Sequence, residues 1–167
     1  LKSLMLSVQS GEIGIDAAMN MLQGTPLKAG EDTYAHLDIT RSDRTGLPEV
    51  IYGAGKSAPQ IIGILEELVA SGHDGIATRV SAEKAAAVLA KLPDVRYHET
   101  AQILHWEHNP WKDLGDGKIA VICAGTSDRP VAEEAAVIAE IFGNRVERLT
   151  DVGVAGIHRI LNRQELL

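Results

Sequence analysis

Residues 119–129 read IAVICAGTSDR, an apolar run that breaks into Ala124-Gly125-Thr126-Ser127-Asp128 and leads at once into an alanine-rich helical stretch. Such a turn offers backbone N–H groups, two hydroxyls and the partial positive charge of a helix N-terminus, all suited to phosphate, and Asp128 can accept from a ribose hydroxyl. The plainer use of Ser127 or Asp128 is to cap the helix. A second pair, His158-Arg159, follows the glycine-rich bend of residues 151–156. Arginine binds phosphate through its planar fork, and histidine moves protons near neutral pH. In a parallel sheet the loops after neighbouring strands lie side by side at one edge, so the two clusters are expected to share a site. His158 and Asp128 are the candidate catalytic groups, and Gly125, Thr126, Ser127 and Arg159 the candidate substrate contacts.

A third cluster runs from Asp38 through Arg41, Asp43 and Arg44 to GLPEVIYGAGKS. Its tail imitates a P-loop, but that motif needs glycine five residues before Gly55, and Val50 stands there. What survives is an open backbone at Gly53 and Gly55, with Lys56 near a helix N-terminus where an anion can dock. Arg41 and Arg44 either bind a second phosphate or pair with Asp38, Asp43 and Glu49. Arg79, at the end of another strand, either joins this basic group or faces solvent. His36, His98, His105 and His108 do not form a metal set by spacing. Cys123, the sole cysteine, lies inside an apolar strand and reads as a buried thiol.

The elements that must position these residues follow from pattern. Residues 2–24 read as a helix with a break available at Gly11 or Gly14, and residues 25–33 as a linker. Residues 34–40 alternate as a strand. From Pro48 the order is strand (49–53), helix capped by Ser57, strand (74–80), helix capped by Ser81, and an extended segment at 95–98. That order predicts a small parallel sheet with right-handed crossovers. Residues 105–117, with both tryptophans and Pro110, read as an interdomain connection. A strand at 119–123, a helix at 130–142, a strand at 146–149 and a helical end at 157–167 make a second unit. The expected division is a helical segment and linker (1–33), an N-terminal α/β domain (34–117) and the first part of a second α/β domain (118–167). Two strands and two helices bury little on their own. The second unit must therefore lean on the first, or on partner chains, or continue beyond Leu167.

Bulk composition narrows the class. The chain has 167 residues, 45% of them apolar and 23% charged, which is the balance of a globular protein, and its formal net charge of −7 argues against a general nucleic-acid binder. No apolar run reaches the roughly 18 residues that cross a bilayer, no signal peptide is visible, and one cysteine suits a reducing cytoplasm. The first residue, Leu rather than Met, fits a trimmed or partial chain.

The turn at residues 124–128 resembles the opening Gly-Ser-x-Ser-Asp turn of the AIR carboxylase (PurE) family, with Ser127 and Asp128 matching its end and Gly125 standing where that family has its first serine. His158-Arg159 stands in place of that family's Ser-Ala-His-Arg segment. The chain as a whole resembles the LarB family, the pyridinium-3,5-biscarboxylic acid mononucleotide synthases. The likeness rests on DxxRxxRxGxPEV (residues 38–50), GxGK (53–56), TRV (78–80), AGTSDxPVAEEA (124–135) and DVGVAGIHR (151–159). It implies a unique N-terminal domain ahead of a PurE-like flavodoxin-type domain. It also implies carboxylation of the pyridine ring of nicotinic acid adenine dinucleotide, with CO2 or bicarbonate as co-substrate. Phosphoanhydride hydrolysis would accompany it and release AMP, toward a nickel-pincer nucleotide cofactor. On that likeness Ser127 and Asp128 contact the ribose-phosphate, His158 transfers a proton and Arg159 clamps phosphate. No cofactor is expected to bind tightly, whether Mg²⁺ assists hydrolysis stays open, and a cytoplasmic homo-oligomer is expected to form through the PurE-like domain. The family's cysteine nucleophile lies later in that domain and is not Cys123, so no turnover is expected of residues 1–167 alone. Two other readings stand beside this one, an AIR carboxylase and a non-catalytic nucleotide-binding module.

Overall fold

A computed structural model describes residues 2–23, 25–29, 32–39, 41–108 and 117–163; within these, the side chains of residues 23, 25–29, 32–34, 43, 44 and 154 are not described. The first segment forms two helices, α1 (Lys2–Ser10) and α2 (Ile15–Gln23). Gly11, at φ +78°, breaks them apart in a left-handed conformation that glycine adopts without strain. The helix end expected at Gly24 lies outside the described residues.

The stretch expected to be a linker carries a strand instead. β1 (Thr25–Ala29) pairs antiparallel with β2 (Asp32–Leu37) in a separate two-stranded sheet. Pro26 lies within β1, opposite His36; proline is tolerated on an edge, and in a two-stranded sheet both strands are edges. Thr40, the end of the strand expected there, is outside the described residues. A short helix, α3 (Arg41–Thr45), follows and ends at Gly46, whose φ is +76°.

The central sheet comprises β3 (Val50–Tyr52), β4 (Gly75–Thr78), β5 (Arg96–His98) and β6 (Ile103–Trp106), in the order β3-β4-β6-β5. β3 and β4 run parallel, joined by α4 (Ala58–Ala70), and α5 (Ala82–Lys91) leads to β5. The expected strand-helix-strand-helix-strand order is present and the three strands run in one direction. The sheet is mixed rather than all-parallel, because β6 lies antiparallel to both β4 and β5 and fits between them. His105 and Trp106, expected in a connection, belong to this inserted strand. A return of only a few residues after β5 enforces a hairpin, with Gln102 at φ +54° in its bend.

Local chemistry accounts for both helix starts. Ser57 Oγ accepts from the Gln60 N–H at 3.4 Å and Gln60 Oε1 accepts from the Ser57 N–H at 2.9 Å, a reciprocal capping box. Ser81 Oγ accepts from the Lys84 N–H in the same way. α4 then buries Ile61, Ile62, Ile64, Leu65 and Leu68. With Ile51, Ala77, Val80, Val88 and Leu104 they form the main core on one face of the sheet.

The second unit is a βαβ: β7 (Lys118–Ile122), α6 (Arg129–Ile141) and β8 (Arg145–Leu149), its strands parallel and in register from Lys118↔Arg145 to Ile122↔Leu149. A short helix, α7 (Ile157–Leu161), closes the described chain. α6 also packs on the first unit: its Val137, with Ile138, Ile141 and Phe142, meets Ile76, Ala101 and Ile103 on the sheet face opposite α4. The whole is a mixed α/β fold in which parallel strand pairs alternate with helices, consistent with flavodoxin-like architecture. Among the described residues no helix is long and apolar enough to cross a membrane.

Candidate active site

The carboxyl ends of β7 and β8 bring the two loops together as parallel pairing requires. The Cys123 N–H donates to Leu149 O at 2.9 Å, and the Val152 N–H donates back to Cys123 O at 3.2 Å. Glycine at 153 eases this close approach, since a Cβ would sit 3.0 Å from Ala124 O, a tight contact. Cys123, 6% exposed, is sealed into this joint, in keeping with a structural thiol.

The Gly125–Asp128 turn closes on itself. Residues Thr126–Asp128 form one 3-10 turn, and Asp128 Oδ2 accepts from the Gly125 N–H at 3.0 Å. That carboxylate oxygen braces the turn, and Asp128 makes no side-chain cap to α6. The Thr126 and Ser127 hydroxyls lie at the exposed edge of the turn. Pro130 occupies the first turn of α6, where its missing N–H costs nothing.

His158 and Arg159 lie beyond a second 3-10 turn, Val154–Gly156. A Cβ on Gly156 would stand 3.0 Å from Arg159 Nε and 3.3 Å from His158 Cε1, so the bare glycine lets both side chains fold back together. Arg159 Nη1 donates to Asp151 Oδ2 at 2.9 Å and to Asp151 O at 3.1 Å, tying the helix to the end of its own loop. Asp151 supports this from φ +59°, a conformation that aspartate tolerates better than most residues.

A cavity of about 340 Å³ opens here, lined by His158, Arg159, Thr150 and Asn162, and by two arginines that the sequence did not single out, Arg148 and Arg163. Arg148 reaches it from β8 while its guanidinium bonds Glu140 at 2.5 and 2.8 Å and Glu133 at 3.0 Å. That pairing lowers the Glu140 pKa, with the Arg148 hydrogen bond as the main cause, and raises that of Arg148. Arg163 stands four residues after Arg159, one helical turn on, a spacing that was legible. Residues 125–128 do not line this cavity, although their turn is the neighbouring loop.

The third cluster divides. Lys56 lines a separate cavity of about 210 Å³ with His36, Glu49 and Tyr52, floored by Leu37, Ile51 and Ile64. Glu49 Oε2 accepts from the Asp38 N–H at 2.7 Å. Arg41 is exposed on α3, and the Arg44 side chain lies outside the described residues. Arg79, at φ +55°, lines neither cavity and forms an ion pair with Glu134 of α6. Lys84, passed over in the sequence, donates from Nζ to Gly53 O at 3.1 Å and Ala54 O at 2.9 Å, fixing the GAGK loop from α5. Gly53 has no room for a side chain: a Cβ would lie 2.7 Å from Val80 Cγ2 and 2.8 Å from Thr78 O. Gly53→Ala is therefore expected to lower stability by about 1–3 kcal/mol, as overpacking does. Urea unfolding checks this, and an unchanged midpoint would contradict it. Among the described residues no group of three or more His, Cys, Asp or Glu is placed to hold a metal ion.

Fold and site together define an α/β protein with an arginine-lined cavity at the carboxyl edge of a parallel βαβ unit. Residues 29–108 match the family described as the LarB/PurE-like N-terminal domain. An uncharacterized protein of Methanocaldococcus jannaschii is 34% identical over 165 residues, covering 96% of this chain. The chain spans 64% of the length of that relative.

Proposed function

We propose that the whole protein is a PurE-related carboxylase whose substrate is nicotinic acid adenine dinucleotide, with CO2 or bicarbonate supplying the new carboxylate. The observation that carries this reading is the placement of His158 beside Arg159 on an arginine-lined cavity, next to the AGTSD turn, in a chain whose N-terminal segment matches the LarB family. When a pyridine ring carbon bonds to CO2 it must lose its proton, and the reading gives that proton to the His158 imidazole, which lines the cavity. Arg159 and Arg163 supply forked donors for phosphate and carboxylate oxygens. The exposed Thr126 and Ser127 hydroxyls on the neighbouring loop take the ribose-phosphate, with Asp128 holding their turn. Water then divides the phosphoanhydride into AMP and the carboxylated pyridine mononucleotide, a product suited to nickel-pincer cofactor assembly. The second cavity, with Lys56, Arg41 and Arg44 nearby in sequence, offers a further anion contact. A homo-oligomer built on this unit belongs to the same proposal.

The test is AMP release by the whole protein from nicotinic acid adenine dinucleotide, with and without bicarbonate and with and without added Mg²⁺. Bicarbonate-dependent release is expected. Turnover of aminoimidazole ribotide instead would favour the AIR carboxylase reading, and dinucleotide binding without any product would leave a nucleotide-binding module.

A further inference from the structure

The seam between the central sheet and α6 holds two imidazoles that the site above does not use. Side chains alternate along a strand, and Leu104 belongs to the α4-side core whereas Ile103 packs with Val137 of α6. His105 therefore shares the α6 face with Ile103. On β5, Tyr97 packs into the α4-side core, leaving His98 on the α6 face as well. His105 is 7% exposed, and the Nε2 atoms of both histidines are sealed from water with no hydrogen-bond partner among the described residues. A neutral imidazole tolerates this. A charged one would bury an uncompensated N–H and its charge on the sheet face that Ile103 shares with Val137 of α6.

The charged neighbours do not remove that cost. His98 faces Glu140 from α6 and Arg96 from its own strand; His105 faces Asp74, Glu107, Arg96 and His98. Glu140 is already bonded by Arg148, and Asp74 accepts from the His108 N–H at 2.7 Å. Burial consequently outweighs the carboxylates and holds both histidines below their ordinary pKa.

We propose that the packing of α6 on the sheet is a proton-sensitive latch, closed over neutral His98 and His105 and released when they charge. The released form binds more protons than the closed one. Latch stability is thus complete above the ordinary histidine value of about 6.5 and declines as pH falls below it. Because α6 carries the two carboxylates that hold Arg148, release would also loosen one wall of the arginine-lined cavity.

Residue-resolved hydrogen exchange on the 167-residue chain tests this, corrected for intrinsic exchange rates, between about pH 7.5 and about pH 5.5. Protection of residues 136–142 in α6 is expected to fall several-fold at the lower pH while residues 61–68 of α4 keep theirs. The H98L/H105L double variant should lose that difference. In the unmodified chain, both imidazoles should titrate by NMR below free histidine, a readout that stands even if the variant fails to fold. Constant α6 protection, an equal fall in α4, an unchanged pH effect in the folded variant, or imidazoles titrating at or above the free value would each overturn the latch.

Discussion

Replacing His158 with alanine is expected to slow carboxylation by the whole protein about 10²- to 10⁴-fold in kcat, the range that removal of a positioned acid–base group costs. The imidazole lines the cavity and folds back over Gly156 beside Arg159, so it stands next to the cationic groups that would hold the substrate. Its side chain is exposed and outside both apolar cores, so the substitution should change folding stability by less than about 0.5 kcal/mol. The expected signature is a large loss of turnover with little change in substrate KM or in the urea midpoint. Turnover within a factor of a few of the parent would remove His158 from the proton-transfer role. A parallel fall in stability would assign it to the fold.

The largest stability effect is expected in the core beneath the sheet. Leu65 has no exposed surface and packs with Ile61, Ile64, Leu68, Ala77 and Leu104. Leu65→Ala should cost about 2–5 kcal/mol, the removed methyl groups plus the cavity they leave. A nearby position allows a sharper test. A Cβ on Gly75 would lie 2.8 Å from Leu65 Cδ2, so Gly75→Ala alone must displace the leucine. Once residue 65 is alanine the added methyl enters space already vacated, with Trp106 Cβ at 3.4 Å and Val69 Cγ2 at 3.7 Å in ordinary contact. The double variant L65A/G75A should therefore be less destabilised than the two single losses summed. Strict additivity in urea unfolding would show that the two positions do not share that space.

Much of the architecture was legible because its signals are local. Ser57, Ser81 and Pro130 mark helix starts by chemistry within one turn, and the alternation of strand and helix sets the direction of β3, β4 and β5. The adjacency of the two loops was legible for a related reason: loops following parallel neighbours must adjoin, so Ala124 and Gly153 were bound to meet. What escaped depends on partners distant in sequence. Residues 103–106 are too short an apolar run to declare a strand, and only the slot between β4 and β5 makes them one. Pro26 concealed β1 because a proline is compatible with a strand only if that strand is an edge. Lys84 gives no sign in sequence that its ammonium reaches Gly53 and Ala54, some 30 residues earlier. Arg148 reads as an ordinary strand residue until Glu133 and Glu140 of α6 are placed against it. Arg79, at a strand end, looked free to join Arg41, and α6 supplies Glu134 to hold it.

What the proposed function requires is a new carbon–carbon bond, made by the whole protein on a pyridine dinucleotide. It is tested most directly by supplying ¹³C-bicarbonate with nicotinic acid adenine dinucleotide to the whole protein and locating the label in the product. The expected product is a pyridine mononucleotide carrying one added, labelled carboxylate on a ring carbon, formed together with AMP. AMP accompanied by unlabelled nicotinic acid mononucleotide would show a hydrolase without carboxylation and contradict it.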